Sequence, residues 1–302
     1  MRKIAPHLWF DEEAEQAASF YVSAFPSSRI TSRSTLRQVP TPTGDCDVLS
    51  FELWGQPFMA INAGPLFKFN PSISFIVNFD PSRQPDARQA LDALWQKLSQ
   101  GGRALMPLDR YPFSERYGWI QDRYGLSWQL ILSNPEGEAR PPILPALMFT
   151  GAVAGRAEEA IERYLSVFDG SRRGRVVRYG KGQEPDREGS VMFGDFTLGG
   201  QWFAAMDSAR SHFPFNEAIS LLIPCESQEQ IDYYWRRLSA DPKAEQCGWL
   251  KDEFGLSWQV WPTAMGEMLE KGTPEQVARV TQAFLPMKKF DLAALQRAFA
   301  GR

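Results

Sequence analysis

Histidine and cysteine, the residues that most often hold transition metals, are scarce: the 302-residue chain carries two His and three Cys. Cys46, Cys225 and Cys247 are too few and too scattered for a zinc cage or a disulfide scaffold, and a reducing cytoplasm is the expected location. No apolar run approaches the ~18 residues of a spanning helix, and no signal-peptide pattern opens the chain. A basic excess is missing as well. The formal charge of −3 argues against a nucleic-acid partner, which calls for a basic surface. There is no G-x-S-x-G elbow for a nucleophilic serine. Aromatic residues are plentiful, with 21 Phe and 10 Trp, and suggest aromatic cores or apolar pockets.

The chain is also repetitive. Residues 118–129 read GWIQDRYGLSWQ and residues 248–259 read GWLKDEFGLSWQ, identical at eight of twelve positions. The repeat extends in constant order. APHLWF (5–10) answers LPALMF (144–149), and AEQAASFYVSAF (14–25) answers AEEAIERYLSVF (157–168). FELWGQPFMAIN (51–62) answers FTLGGQWFAAMD (196–207), and FKFNPSISFIV (67–77) answers FPFNEAISLLI (213–223). A repeat of this length makes half the chain the unit of fold, so any site is expected twice.

Within each copy, period-2 and period-3.6 patterns alternate as strand, helix, then several short strands, twice over. In copy one the strand PHLWF precedes a helix through Phe25 with Asp11 as the expected N-cap. A second round starts at 72–79, with a helix over 86–98. The Pro, Gly and charge of SNPEGEARPP (133–142) mark an exposed linker. Two amphipathic stretches, 274–285 and 290–300, follow copy two and read as a packing brace. The expected division is 1–134, a linker at 135–142, 143–262, and a helical extension over 263–302.

Paired βαβββ units with D-x-x-G-x-x-W before the last strand resemble the vicinal oxygen chelate superfamily of glyoxalases, bleomycin-resistance proteins and extradiol dioxygenases. The wording of PHLWFDEEAEQAASFYVSAFP and CGWLKDEFGLSWQVWP is most similar to the PhnB-like branch, often labelled 3-demethylubiquinone 3-methyltransferase-like. The resemblance implies an α+β chain of two tandem vicinal-oxygen-chelate domains. It also implies an internal pseudo-dimer, with a homodimer as a further option.

Metal-dependent members hold an ion in the cup of each eight-stranded sheet. Carried over, the first ligand position falls on His7 and Ala146, and the second near Ala60 or Asn62 and near Ala205 or Asp207. The third falls on Ser72 and Ala218, the fourth on Gln129 and Gln259. These residues fall short of the three imidazole, carboxylate or thiolate donors that a catalytic metal wants, so neither metal nor cofactor is expected. The methyltransferase label implies a Gly-rich cradle for the methyl donor. Gly180-Lys-Gly182 is followed by a polar loop rather than a helix, and reads as a hairpin tip.

The expected ligand-binding residues are therefore His7, Trp9, Asn62, Ser72, Gln129, Asp207 and Gln259, with no catalytic residue assigned. His7 and Trp9 share a strand face, and His7 is expected to bond a neighbour such as Gln129 or Asn62. Asp207 against Asn62 would give the two cups different charge preferences. Trp128 and Trp258 are expected to pack against helices, and Gly118-Trp119 and Gly248-Trp249 to mark tight turns. Asn70 and Asn216 read as turn residues. The expected function is binding of a small apolar or aromatic molecule in a metal-free cup. The alternatives are a metal-dependent or acid/base lyase, isomerase or dioxygenase, a structural module with filled cups, and a methyltransferase.

Overall fold

The structure, a computed structural model, describes residues 3–37, 39–41, 44–133 and 138–302; residues 134–137 of the expected linker region lie outside that description. Copy one begins β1 (Ala5–Phe10), α1 (Ala14–Ala24), β2 (Arg29–Arg37), β3 (Asp45–Leu53) and β4 (Gln56–Asn62). Its second half is β5 (Ile73–Phe79), α2 (Ala87–Ser99), β6 (Arg103–Tyr111), β7 (Ser114–Gln121) and β8 (Ser127–Leu132). Copy two follows with β9 (Ile143–Thr150), α3 (Ala157–Val167), β10 (Arg172–Arg178), β11 (Val191–Leu198) and β12 (Gln201–Ser208). It ends in β13 (Ile219–Cys225), α4 (Gln228–Leu238), β14 (Trp249–Lys251) and β15 (Ser257–Pro262). Three helices close the chain: α5 (Thr263–Lys271), α6 (Pro274–Phe284) and α7 (Leu292–Ala300). The periodic pattern outlines α6 and α7; α5 went unread because it follows the last strand without a break.

The strands form two sheets, ordered β14-β15-β13-β1-β4-β3-β2 and β10-β11-β12-β9-β5-β8-β7-β6. Each sheet joins the first half of one copy to the second half of the other. The joints are antiparallel: β1 on β13, with His7 opposite Ser220, and β5 on β9, with Ser74 opposite Ala146. We call the concave faces cup A (seven strands) and cup B (eight strands). Within each copy the convex faces and helices of its two halves pack together into one core, which holds Tyr21, Phe51, Phe58, Phe75 and Trp128 of copy one.

The repeated Asp explains how the halves of a copy are held. Asp122 Oδ1 accepts the Tyr124 and Leu126 backbone N–H groups, while Oδ2 accepts Tyr21 Oη at 2.8 Å and Trp128 Nε1 at 2.9 Å. Asp252 does the same with Phe254, Leu256, Tyr164 and Trp258. Each Asp thus shapes its turn and ties the helix of one half to the last strand of the other. Burial raises both carboxyls, Asp252 to about 6, while the donated hydrogen bonds hold them down. Trp128 and Trp258 lie fully buried on the helix side, as expected.

The two glycines of the motif serve different ends. Gly118 lies inside β7 rather than at a turn, and it is glycine there because a Cβ would meet the Trp95 ring at 2.5 Å. Gly248 does precede a strand, at φ +82°, and a Cβ there would strike Phe290 at 2.3 Å. The loops before β5 and β13 are tied across the copies. Asn70 donates to Pro214 O and Asn216 to Lys68 O, while each Oδ1 closes its own turn.

Candidate functional site

Strand register sets the same row of inward-facing residues across both cups. In cup A it runs Met59, His7, Ser220, then Gln259 and Trp249; in cup B it runs Ala204, Ala146, Ser74, then Gln129 and Trp119, each Gln standing opposite the residue two beyond its Ser, Leu222 or Ile76, on the same face. Gln259 Nε2 donates to Ser220 Oγ and Gln129 Nε2 to Ser74 Oγ, each at 2.8 Å. The expected pairing of His7 with Gln129 is wrong: they stand in different sheets, because each cup is completed by the other copy. Ser74 and Ser220 were missed, although both lie in the repeat two residues beyond Ser72 and Ala218, on the same strand face.

Asn62 and Asp207 also fall elsewhere. One residue along a strand turns a side chain to the opposite face, so Met59 and Ala204 point inward while these two point toward the helices. Asn62 Oδ1 accepts the Ala14 N–H, and Asp207 accepts those of Gly155, Ala157 and Val191. They hold the starts of α1 and α3, the duty expected of Asp11, and give the cups no difference in charge. Ser72 sits in the turn just before β5, where its backbone N–H donates to Asn70 Oδ1 and its carbonyl accepts the Met148 N–H.

Cup A is occupied by the chain itself. Met265, Leu269, Val280, Phe284, Phe290 and Leu295 of the C-terminal segment form one apolar cluster with Leu36, Val48, Ile61, Trp9 and Trp261 of the cup wall. A cavity of about 260 Å³ remains between α5 and Val48, Ser50, Met59 and Trp261. His7 is 4% exposed, lies edge-on to Trp249 at 5.4 Å, and leaves Nδ1 without a partner. Burial drives its imidazole down to about 3, so it is neutral at any ordinary pH. Trp9 Nε1 donates to Gly64 O, and its ring packs against Phe67 and Trp249.

Cup B has different cover. Tyr117 Oη donates to Gln129 Oε1 at 2.8 Å, which extends the Ser74–Gln129 pair into a chain of three. Ile76, Leu144, Met148, Trp202 and Met206 surround it as an apolar wall. Arg140, in the expected linker, stacks 3.7 Å over Trp202 and bonds Asp195. The β6–β7 hairpin brings Tyr111 and Phe113 onto Tyr117, with ring centroids 5.5 and 4.9 Å away, and leaves Phe113 60% exposed. Copy two has only the short β14 in the place of this hairpin. There the C-terminal segment docks, Cys247 N–H donating to Met287 O and Gly248 N–H to Lys288 O.

A profile of the family described as 3-demethylubiquinone-9 3-methyltransferase matches residues 2–131 and again 141–261. The chain belongs to this family. Among solved structures, the family's PhnB protein from Bacillus cereus is 38% identical over 44% of this chain and 100% of its own, with a TM-score of 0.39. A mutant of glyoxalase I from Zea mays is 10% identical, covers 87% of this chain and 94% of its own, and has a TM-score of 0.51. The latter likeness concerns the fold alone, two glyoxalase-fold domains in tandem. No curated protein matches the chain.

Neither group implied by these relatives suits the residues present. A glyoxalase-type metal would find imidazole, thioether, hydroxyl and amide in cup A, and two methyls, hydroxyl and amide in cup B. Neither row carries a carboxylate, and among the described residues no group of three or more His, Cys, Asp or Glu could hold an ion. For a methyl donor, Gly180–Gly182 lies in the loop between β10 and β11, with Gly180 N–H tied to Gln183 and no helix after it. Family membership therefore carries no methyl-transfer step here.

Proposed function

We propose that this family member is a binding protein with one working cup, cup B, which takes a small apolar or aromatic molecule without a metal. The observation that carries this reading is the Ser74–Gln129–Tyr117 chain on an apolar concave face. Alanines 146 and 204 stand beside it, where cup A has His7 and Met59. Recognition sites of this kind combine apolar walls with a few fixed polar groups. Met148 and Met206 line the same face, and their unbranched side chains repack readily around a guest. In this reading His7, Trp9 and Gln259 are wall residues of a cup closed by its own chain. On the same reading the protein is a cytoplasmic internal pseudo-dimer, with Cys46, Cys225 and Cys247 as free thiols.

Titration with naphthalene-sized neutral compounds tests the reading. One saturable equivalent per chain is expected, with quenching of indole fluorescence that Trp119→Phe reduces. No saturable binding, or two equivalents, would sink it. Stoichiometric divalent metal in the purified protein would favour the lyase or dioxygenase alternative instead.

A further inference from the structure

Cup B has more hydrogen-bond donors than its own residues use. Ser74 has one hydroxyl hydrogen, Gln129 two amide hydrogens and Tyr117 one phenolic hydrogen, four in all. Tyr117 and Ser74 engage Gln129 in two bonds, which leaves two hydrogens over. The count survives a flip of the amide, since Ser74 would then donate to Gln129 and Gln129 to Tyr117. Tyr117 keeps its proton, because burial and nearby Tyr111 push the phenol well up. Gln129 is 4% exposed and Ser74 1%, so water has little access to the spare donors. A buried donor without an acceptor is costly. The inward neighbours Ala146, Ile76, Met148 and Met206 are apolar, and the charges on this face, Asp195 and Arg140, are paired with each other at 2.8 Å. Trp119 ties its indole N–H to Ser127 and offers the cup only its ring.

We infer that cup B selects a neutral, planar aromatic molecule that carries a carbonyl-type acceptor. The acceptor meets the spare hydrogens of Gln129 and its partners, and the ring lies among Trp119, Tyr117 and the Tyr111–Phe113 pair. This rests on cup B being the working cup and adds the polarity of what it takes. Cup A does not share the preference: Cys247 stands where Tyr117 does in the repeat, and the C-terminal helices cover the cup, leaving only the cavity of about 260 Å³ beside Met59 and Trp261.

Acetophenone and ethylbenzene, similar in shape and different in the carbonyl, are the probes for calorimetric titration of the full chain. Acetophenone should bind roughly tenfold tighter, as one net hydrogen bond provides. Gln129→Leu should bring that ratio close to one while ethylbenzene still binds. Equal binding of both probes to the unaltered protein overturns this inference and leaves the cup assignment standing; failure of both to bind overturns the two together. Tyr117→Phe supplies a second check. It frees a Gln129 lone pair without lowering the number of spare hydrogens, so phenol should gain several-fold on acetophenone. An unchanged ratio counts against the polarity assigned here.

Discussion

Cups A and B share a Ser–Gln–Trp row and differ in what stands over it. Cup A is sealed by helices from the end of the chain, packed through Phe290, Met265 and Leu295. Cup B keeps the hairpin that copy two lacks, and that hairpin holds Phe113 largely in solvent. Duplication gave two similar frames. One became a core covered by the C-terminal helices of its own chain, with His7 Nδ1 left unpaired, and the other kept bonded polar groups with hydrogens to spare. A buried polar group can thus serve packing or recognition, and the cover decides which.

The contrast can be broken first through acid. The His7 imidazole is pushed from 6.5 to about 3, below its unfolded value, so its contribution is present above about pH 6.5 and lost as pH falls toward 3. Complete protonation would cost on the order of 5 kcal/mol. Chemical denaturation at pH 7 and pH 4.5 should therefore show a loss that His7→Leu removes, with no equivalent from cup B, where Ala146 occupies the place. The raised Asp252 works the opposite way: its contribution is full below about 3.8 and fades as pH rises through about 6. The His7→Leu protein should accordingly gain stability between pH 7 and 5.

Truncating the seal comes next. Phe290→Ala should cost about 3–4 kcal/mol in a urea melt, as for a buried aromatic removed from a packed core. A loss under about 1 kcal/mol would mean that the C-terminal helices sit loosely on cup A. Asp122→Asn and Asp252→Asn sharpen the comparison from the other direction. Each replaces an acceptor oxygen facing Trp and Tyr donors, and each should cost on the order of 2–3 kcal/mol. Near-equal losses are expected, because the two tethers are alike. Smallest of all, Phe113→Ala should shift stability by no more than ~0.5 kcal/mol while weakening ligand binding at cup B.

Much of this was legible in the sequence. The duplicated GWxxDxxGLSWQ showed the number of copies, and alternation placed strands such as β1 and β5. Trp128 and Trp258 could be assigned to the helix side by the same rule. What could not be read was which copy completes which sheet, since hydrophobic alternation is satisfied equally by a partner within the copy or across it. That ambiguity put His7 and Gln129 together in expectation and apart in space. Asn62 and Asp207 misled for a related reason. A residue at the end of a strand reads as a ligand candidate until the neighbouring helix start, with its free N–H groups, is seen to need it. Ser74 was within reach, two residues from a site already singled out.

The crosswise joining of the sheets has a consequence during synthesis. Ala5 of β1 pairs with Leu222 of β13, so the first strand to leave the ribosome meets one of its neighbours only after roughly 200 further residues. At about 5–20 residues per second that is a wait on the order of 10–40 s. Through that time one edge of β1, and the whole floor of cup A with it, has no partner. The nascent first copy is therefore an open-edged half-protein, and it is the arrival of the second copy that protects it.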